Sequence, residues 1–130
     1  MSYTLLPALI ALEHDNGLVE SQVVKYNGRP SQLGRQLFEM NWKQLENLLP
    51  YTLHSLRNGE PFYTEFRSDM RPTSKVFESS DSYFYHWEKM MYGTIPYAYM
   101  LSHGGTWVVK DMDNGLQLLD IALEEAGFPV

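Results

Sequence analysis

The chain has 130 residues, of which 44% are apolar and 14% aromatic; that is enough to bury one sizeable core and too few for two ordinary domains, so residues 1–130 are expected to form a single compact unit. Cysteine is absent, which excludes disulfides, thiolate metal sites and a cysteine nucleophile, and accords with a reducing cytoplasm. The net charge of −6 is uneven: residues 1–77 carry eight acidic and eight basic side chains, whereas residues 78–130 carry eight acidic ones against Lys89 and Lys110. Without a basic stripe to displace counterions, direct binding to nucleic acid is not expected, and an acidic face is suited to solubility or to a cationic partner.

The apolar run over residues 5–13 has no basic stretch before it and is stopped by Glu13-His14-Asp15, well short of a membrane span, so neither export nor insertion is expected. Asp15-Asn16-Gly17 supplies a tight turn into a second strand-like arm, residues 18–26, with Val19, Val23, Val24 and Tyr26. Glu13, His14 and Asp15 read as solvated loop beside that turn rather than as a catalytic group.

The period then changes. Leu33, Gly34, Leu37, Phe38 and Asn41 fall on one helical face, with Ser31 as the expected N-cap and Pro30 fixing the entry. Asn41 followed by Gln44 has the spacing of a capping box, opening a second short helix with Trp42, Leu45, Leu48 and Leu49 as its apolar stripe, ended by Pro50. Residues 51–56 fit helix or strand equally. Asn58-Gly59-Glu60-Pro61 marks a turn, residues 62–66 a strand, residues 67–74 an exposed loop and residues 75–78 one more short strand.

Ser79 to Ser82 offer N-caps for a helix with Tyr83, Phe84, Trp87, Met90 and Met91 on one side, ending at Gly93. Such a stripe is expected in the core rather than around a cofactor, and His86 is expected to face water. Residues 94–101 alternate, His103-Gly104-Gly105 turns the chain, and residues 106–109 return, which predicts a hairpin whose first strand meets an edge or bulge at Pro96. After Asp113-Asn114-Gly115, a last helix is expected from Leu116, with Leu119, Ala122, Leu123 and Ala126 inward and Gly127 as its stop. Glu124 and Glu125 near its C-terminus oppose the helix dipole, at a cost of about a few tenths of a kcal/mol. Together these elements predict an α+β fold: a mainly antiparallel sheet of about four or five strands, with three or four helices packed chiefly on one face.

The segment Tyr26-Asn27-Gly28-Arg29-Pro30-Ser31-Gln32-Leu33-Gly34, leaving a strand and entering a helix, resembles the aromatic-Asp-Gly-Tyr-Pro-x-x-x-Gly segment of small uncharacterised proteins encoded by phages and prophages. The hairpin from Tyr97-Ala98-Tyr99-Met100-Leu101 to Gly105-Thr106-Trp107-Val108-Val109 is similar to their tyrosine-strand, glycine-turn, tryptophan-strand ending. Lys25-Tyr26-Asn27 stands where that family has His-Trp-Asp, and Arg29 where it has an aromatic residue. The resemblance implies a mobile-element origin and no established activity.

The histidines at 14, 54, 86 and 103 lack the spacing of a helical metal site, and no serine sits in a nucleophile motif, so neither a metal, a cofactor nor a catalytic residue is assigned. The expected function is that of a small cytoplasmic inhibitor that blocks a host protein with a basic surface, such as a nucleic-acid-handling complex, in an anti-CRISPR or other anti-defence role. Asp111, Asp113, Asp120, Glu124 and Glu125 then form the acidic face, with Tyr97, Tyr99 or Trp107 as aromatic anchors where exposed. The alternative is a small-molecule module holding a nucleotide-like anion at Tyr26, Gly28, Arg29 and Ser31, where a helix start and a cation coincide. A third is a structural protein that self-associates; the oligomeric state is left open.

Overall fold

The computed structural model describes residues 5–57, 59–63, 72–91 and 94–127. Among these, eight strands join in one sheet: β1 (Ala8–Glu13), β2 (Val19–Val24), β3 (Leu53–Arg57), β4 (Glu60–Tyr63), β5 (Lys75–Phe77), β6 (Tyr97–Leu101), β7 (Trp107–Asp111) and β8 (Gly115–Leu118). Their order is β4-β3-β2-β1-β6-β7-β8, with β5 also paired to β2. Most pairs are antiparallel, and β1/β6 and β2/β3 are parallel. One edge of β2 is shared, since β5 pairs with Val19 to Ser21 and β3 meets Val24.

Among the described residues four α-helices cover the sheet: α1 (Arg35–Phe38), which continues a π-helical turn at Pro30–Gly34, then α2 (Trp42–Leu48), α3 (Ser80–His86), which runs into a π-helical turn at Trp87–Met91, and α4 (Leu119–Glu125). Successive side chains of a strand point to opposite faces. In β1, Ala8, Ile10 and Leu12 therefore join one core cluster and Leu9 and Ala11 another. Burial on both faces is why this central strand reads as an unbroken apolar run. Helices α1, α2 and α4 close the first cluster with Leu37, Leu45, Leu48, Leu119 and Leu123; α3 closes the second with Tyr83 and Phe84, beside Trp87. Two buried donors are partnered across the layers: Tyr83 Oη donates to the Tyr99 carbonyl at 2.9 Å, and Trp87 Nε1 to that of Ile95 at 2.7 Å.

The sheet is larger than the four or five strands expected. Residues 51–56, undecided by periodicity, form most of β3; β4 starts two residues early and pairs across Gly59 with β3; and the segment expected to open the last helix is a strand. In that last case Asp111 Oδ1 accepts the amides of Asp113 and Asn114, Gly115 takes φ +68°, and Gly115 to Leu118 return along β7. Four residues are too few to separate a period of 2 from one of 3.6, and the backbone bonds offered by β7 decide the outcome. The helix begins only at Leu119.

Ser31 is not a cap either. The chain enters the π-helical turn through Arg29 and Pro30, with no side-chain cap. Asn41 does form its capping box, Asn41 Oδ1 accepting from Gln44 N at 2.9 Å and Gln44 Oε1 from Asn41 N at 3.0 Å. Ser79 caps α3 by accepting from Ser82 N. His86 is half-buried against Phe77, not turned to water. Pro96 precedes β6 and so takes no place in the ladder. Residues 64–71 and Gly93, which include the expected end of the strand at 62–66, most of the expected loop and the end of the third helix, lie outside the described residues.

Candidate functional site

Two of the regions singled out in the sequence meet at the same end of the sheet. At the first, Tyr26 is half-buried and its ring lies 4.3 Å from that of His54; Asn27 adopts φ +59°, a conformation Asn tolerates. Gly28 is buried: its N–H donates to the Leu6 carbonyl at 2.8 Å, and its own carbonyl accepts from Tyr99 Oη at 2.7 Å. An added Cβ would lie 2.5 Å from the Leu6 oxygen and 2.9 Å from Ala8 Cβ, so only glycine fits. Pro30 has no N–H, and the amides of Gln32, Leu33 and Gly34 all turn to the Arg29 carbonyl, at 2.9, 2.8 and 3.3 Å. This junction therefore offers an anion little beyond the Ser31 amide and the exposed Arg29.

The second region is the acidic C-terminal part. Asp111 and Asp113 sit at the β7–β8 turn, Asp120 in the first turn of α4, and Glu124 and Glu125 are exposed in its last turn. The two regions converge on Tyr97: burial raises its hydroxyl above the ordinary tyrosine range, Asp111 adds to the rise, Arg29 opposes it and Asp113 contributes further. The aromatic anchors divide. Tyr97 is half-buried, whereas Tyr99 is completely buried and Trp107 lies in the core with its Nε1 donating to the Met40 carbonyl at 3.2 Å. Tyr99 and Trp107 cannot reach a partner, because closing the first core cluster uses both rings.

What the sequence did not single out is the exposed apolar surface of β8. β8 is the last strand of the sheet. Leu116 and Leu118 pair with Lys110 and Val108, so they point to the face covered by α3, yet they remain 55% and 43% exposed. Val108 still packs on the α3 cluster and Lys110 reaches Glu88 at 3.5 Å; cover stops one strand short of the edge. Ile121, on the first turn of α4, is 43% exposed beside them in sequence.

A third place is a cleft of about 620 Å³ at the carboxyl ends of β1 and β6, under the corner between α1 and α2. It brings together Glu13, His14 and Asp15 with His103 of the β6–β7 turn and Glu39 and Trp42 of the corner. Among the described residues no group of three or more His, Cys, Asp or Glu is placed to hold a metal ion, and no helix is long and apolar enough to cross a membrane. No family model, curated protein or solved structure matches this chain.

Proposed function

We propose that the protein is a small binding protein that docks through the β7–β8 hairpin and α4 onto a basic surface of a partner and blocks it. The observation that carries this reading is β8, the last strand of the sheet, whose Leu116 and Leu118 stay exposed and which is flanked in the chain by Asp111 and Asp113 before it and by Asp120, Ile121, Glu124 and Glu125 of α4 after it. An apolar strip with a charged rim is the usual anatomy of an interface, and an unpaired strand edge is costly to leave exposed without a use. The carboxylates select a cationic partner and speed its approach, while the leucines supply the desolvated centre. Tyr97 is the aromatic residue left near enough to the surface to take part.

The resemblance to phage- and prophage-encoded proteins directs the choice of partner to a host complex that handles nucleic acid in the cytoplasm, so that the block is an anti-CRISPR or other anti-defence activity. A second copy of the chain could also cover the edge, but two faces carrying the same five carboxylates repel.

The test is capture from a bacterial lysate by the tagged protein at low salt, followed by washes of rising salt and mass spectrometry. Stoichiometric capture of one basic complex, released by salt and lost with Glu124→Lys/Glu125→Lys and with Leu116→Asp, is the expected outcome. Capture indifferent to salt and to both variants, or no partner at all, overturns the proposal. Sedimentation over a range of concentrations separates self-association from it.

A further inference from the structure

The cleft at the carboxyl ends of β1 and β6 shares no residue with the acidic edge, and its construction is of a different kind. β1 and β6 run parallel, Leu12 beside Leu101, so the chain leaves both strands at the same end of the sheet. Sheets with parallel strands gather ligands at that end, because the loops diverge there and leave a crevice. Here the crevice is roofed by the α1–α2 corner, which is fixed from two sides. Trp107 Nε1 holds the Met40 carbonyl, and the Asn41–Gln44 capping box holds the first turn of α2.

Carboxylates alone would make only a solvated rim. What makes a site is the combination beneath and beside them. Leu12, Leu101 and Met40 give a buried apolar floor. Trp42, the first residue of α2, lines the cleft and is 58% exposed instead of joining the core. Glu13 is pre-oriented: its Oε1 accepts the His103 backbone N–H at 3.0 Å, which leaves Oε2 without a hydrogen-bond partner among the described residues. Glu39 and Asp15 complete the rim beside His14 and His103, and among the described residues neither Lys nor Arg lines the cleft.

A negative rim, an aromatic face and an apolar floor favour one ligand chemistry. The quadrupole of an indole attracts cations, oriented carboxylates accept their hydrogen bonds, and an apolar floor accepts a hydrocarbon stem. From these groups we infer that the cleft binds an organic cation with an apolar stem, of the guanidinium or alkylammonium class, its head between Glu13 and Trp42 and its stem over Leu12 and Leu101. Two sources carry that chemistry, a free amine and the arginine side chain of another protein.

The probes are n-butylguanidinium, pentanoate as a stem of similar length with the opposite charge, and the blocked peptide acetyl-Gly-Arg-Gly-amide, each titrated into the full chain and followed by backbone amide shifts. Saturable shifts confined to residues 12–15, 39–42 and 101–105 are expected with the guanidinium and not with pentanoate. Trp42→Ala and Glu13→Gln should each weaken binding by about tenfold or more. Glu13→Gln keeps the acceptor for the His103 N–H while removing the charge, and Trp42 is not part of the core, so neither change is expected to disturb folding. Tighter binding of the peptide assigns the site to a protein arginine; tighter binding of butylguanidinium assigns it to a free cation. No saturable shift up to about 10 mM, an equal response to pentanoate, or affinity unchanged in both variants overturns the inference. Loss of this binding with intact capture of a partner at the β8 edge separates its failure from that of the proposed docking face.

Discussion

The Gly28 junction and the β8 edge treat their residues in opposite ways. At the junction the residues that stand out in the sequence are consumed by packing: Gly28 lies under the Leu6 carbonyl, Tyr99 Oη closes on the Gly28 carbonyl, and Gly34 leaves room for Leu119 of α4, with an added Cβ only 3.2 Å from it. Along β8 no motif is present, yet Leu116 and Leu118 stay in solvent on a sheet face where α3 could have covered them. A glycine-and-proline motif entering a helix is first a solution to close packing. An interface has to be sought where apolar residues are left over.

That contrast can be broken by stability measurements, all read as urea midpoints. Leu37, completely buried on α1 behind the junction, should cost about 2–5 kcal/mol on Leu37→Ala, through lost transfer energy and the cavity left behind. Gly28→Ala should follow at about 1–3 kcal/mol or somewhat more, because the nearest atoms to the new methyl belong to backbone that cannot swing away. A neutral Gly28→Ala would mean that the junction is looser than its geometry and would reopen it to a ligand.

Tyr99→Phe should cost about 1–3 kcal/mol, since it leaves the buried Gly28 carbonyl without its donor. The same hydroxyl gives a pH signature. Burial raises Tyr83 and Tyr99 well above the ordinary tyrosine value of about 10. The folded state therefore holds these protons more tightly than the unfolded chain. Their contribution to stability is complete below about pH 10 and is lost as pH rises through the folded values. Alkaline titration should show a stability loss beginning near pH 10 that is shallower in Tyr99→Phe. A wild-type chain whose stability is flat through this range would show that the phenols are not buried as described.

The smallest change is expected at the edge. Leu116→Ser should alter stability by no more than about 0.5 kcal/mol, while weakening capture of the proposed partner. A loss as large as that of Gly28→Ala would place Leu116 in the core and erase the contrast between the two regions.

Much of the fold was legible because its signals are local. The Asp15-Asn16-Gly17 turn, the Asn41–Gln44 box, the Ser79 cap and the His103-Gly104-Gly105 hairpin each depend on a few adjacent residues whose backbone preferences are strong. The candidate sites were less legible. The acidic residues were visible as charge, but the exposure of Leu116 beside them was not; Glu13, His14 and Asp15 read as a solvated turn; and Trp42 read as part of an apolar stripe, because its spacing from Leu45 and Leu49 is helical whether or not the ring is covered.

By itself, then, the sequence determined the mixed α and β character, the main turns and caps, and the apolar run of the strand that both core clusters share. Tertiary structure decided the rest. It made Gly115 to Leu118 a strand by offering them the open side of β7, and it spent Tyr99 and Trp107 on the core. It also placed β1 and β6 side by side so that two loops far apart in the chain face each other across one cleft. Pairing and burial depend on which surfaces meet, and no local pattern of side chains records that.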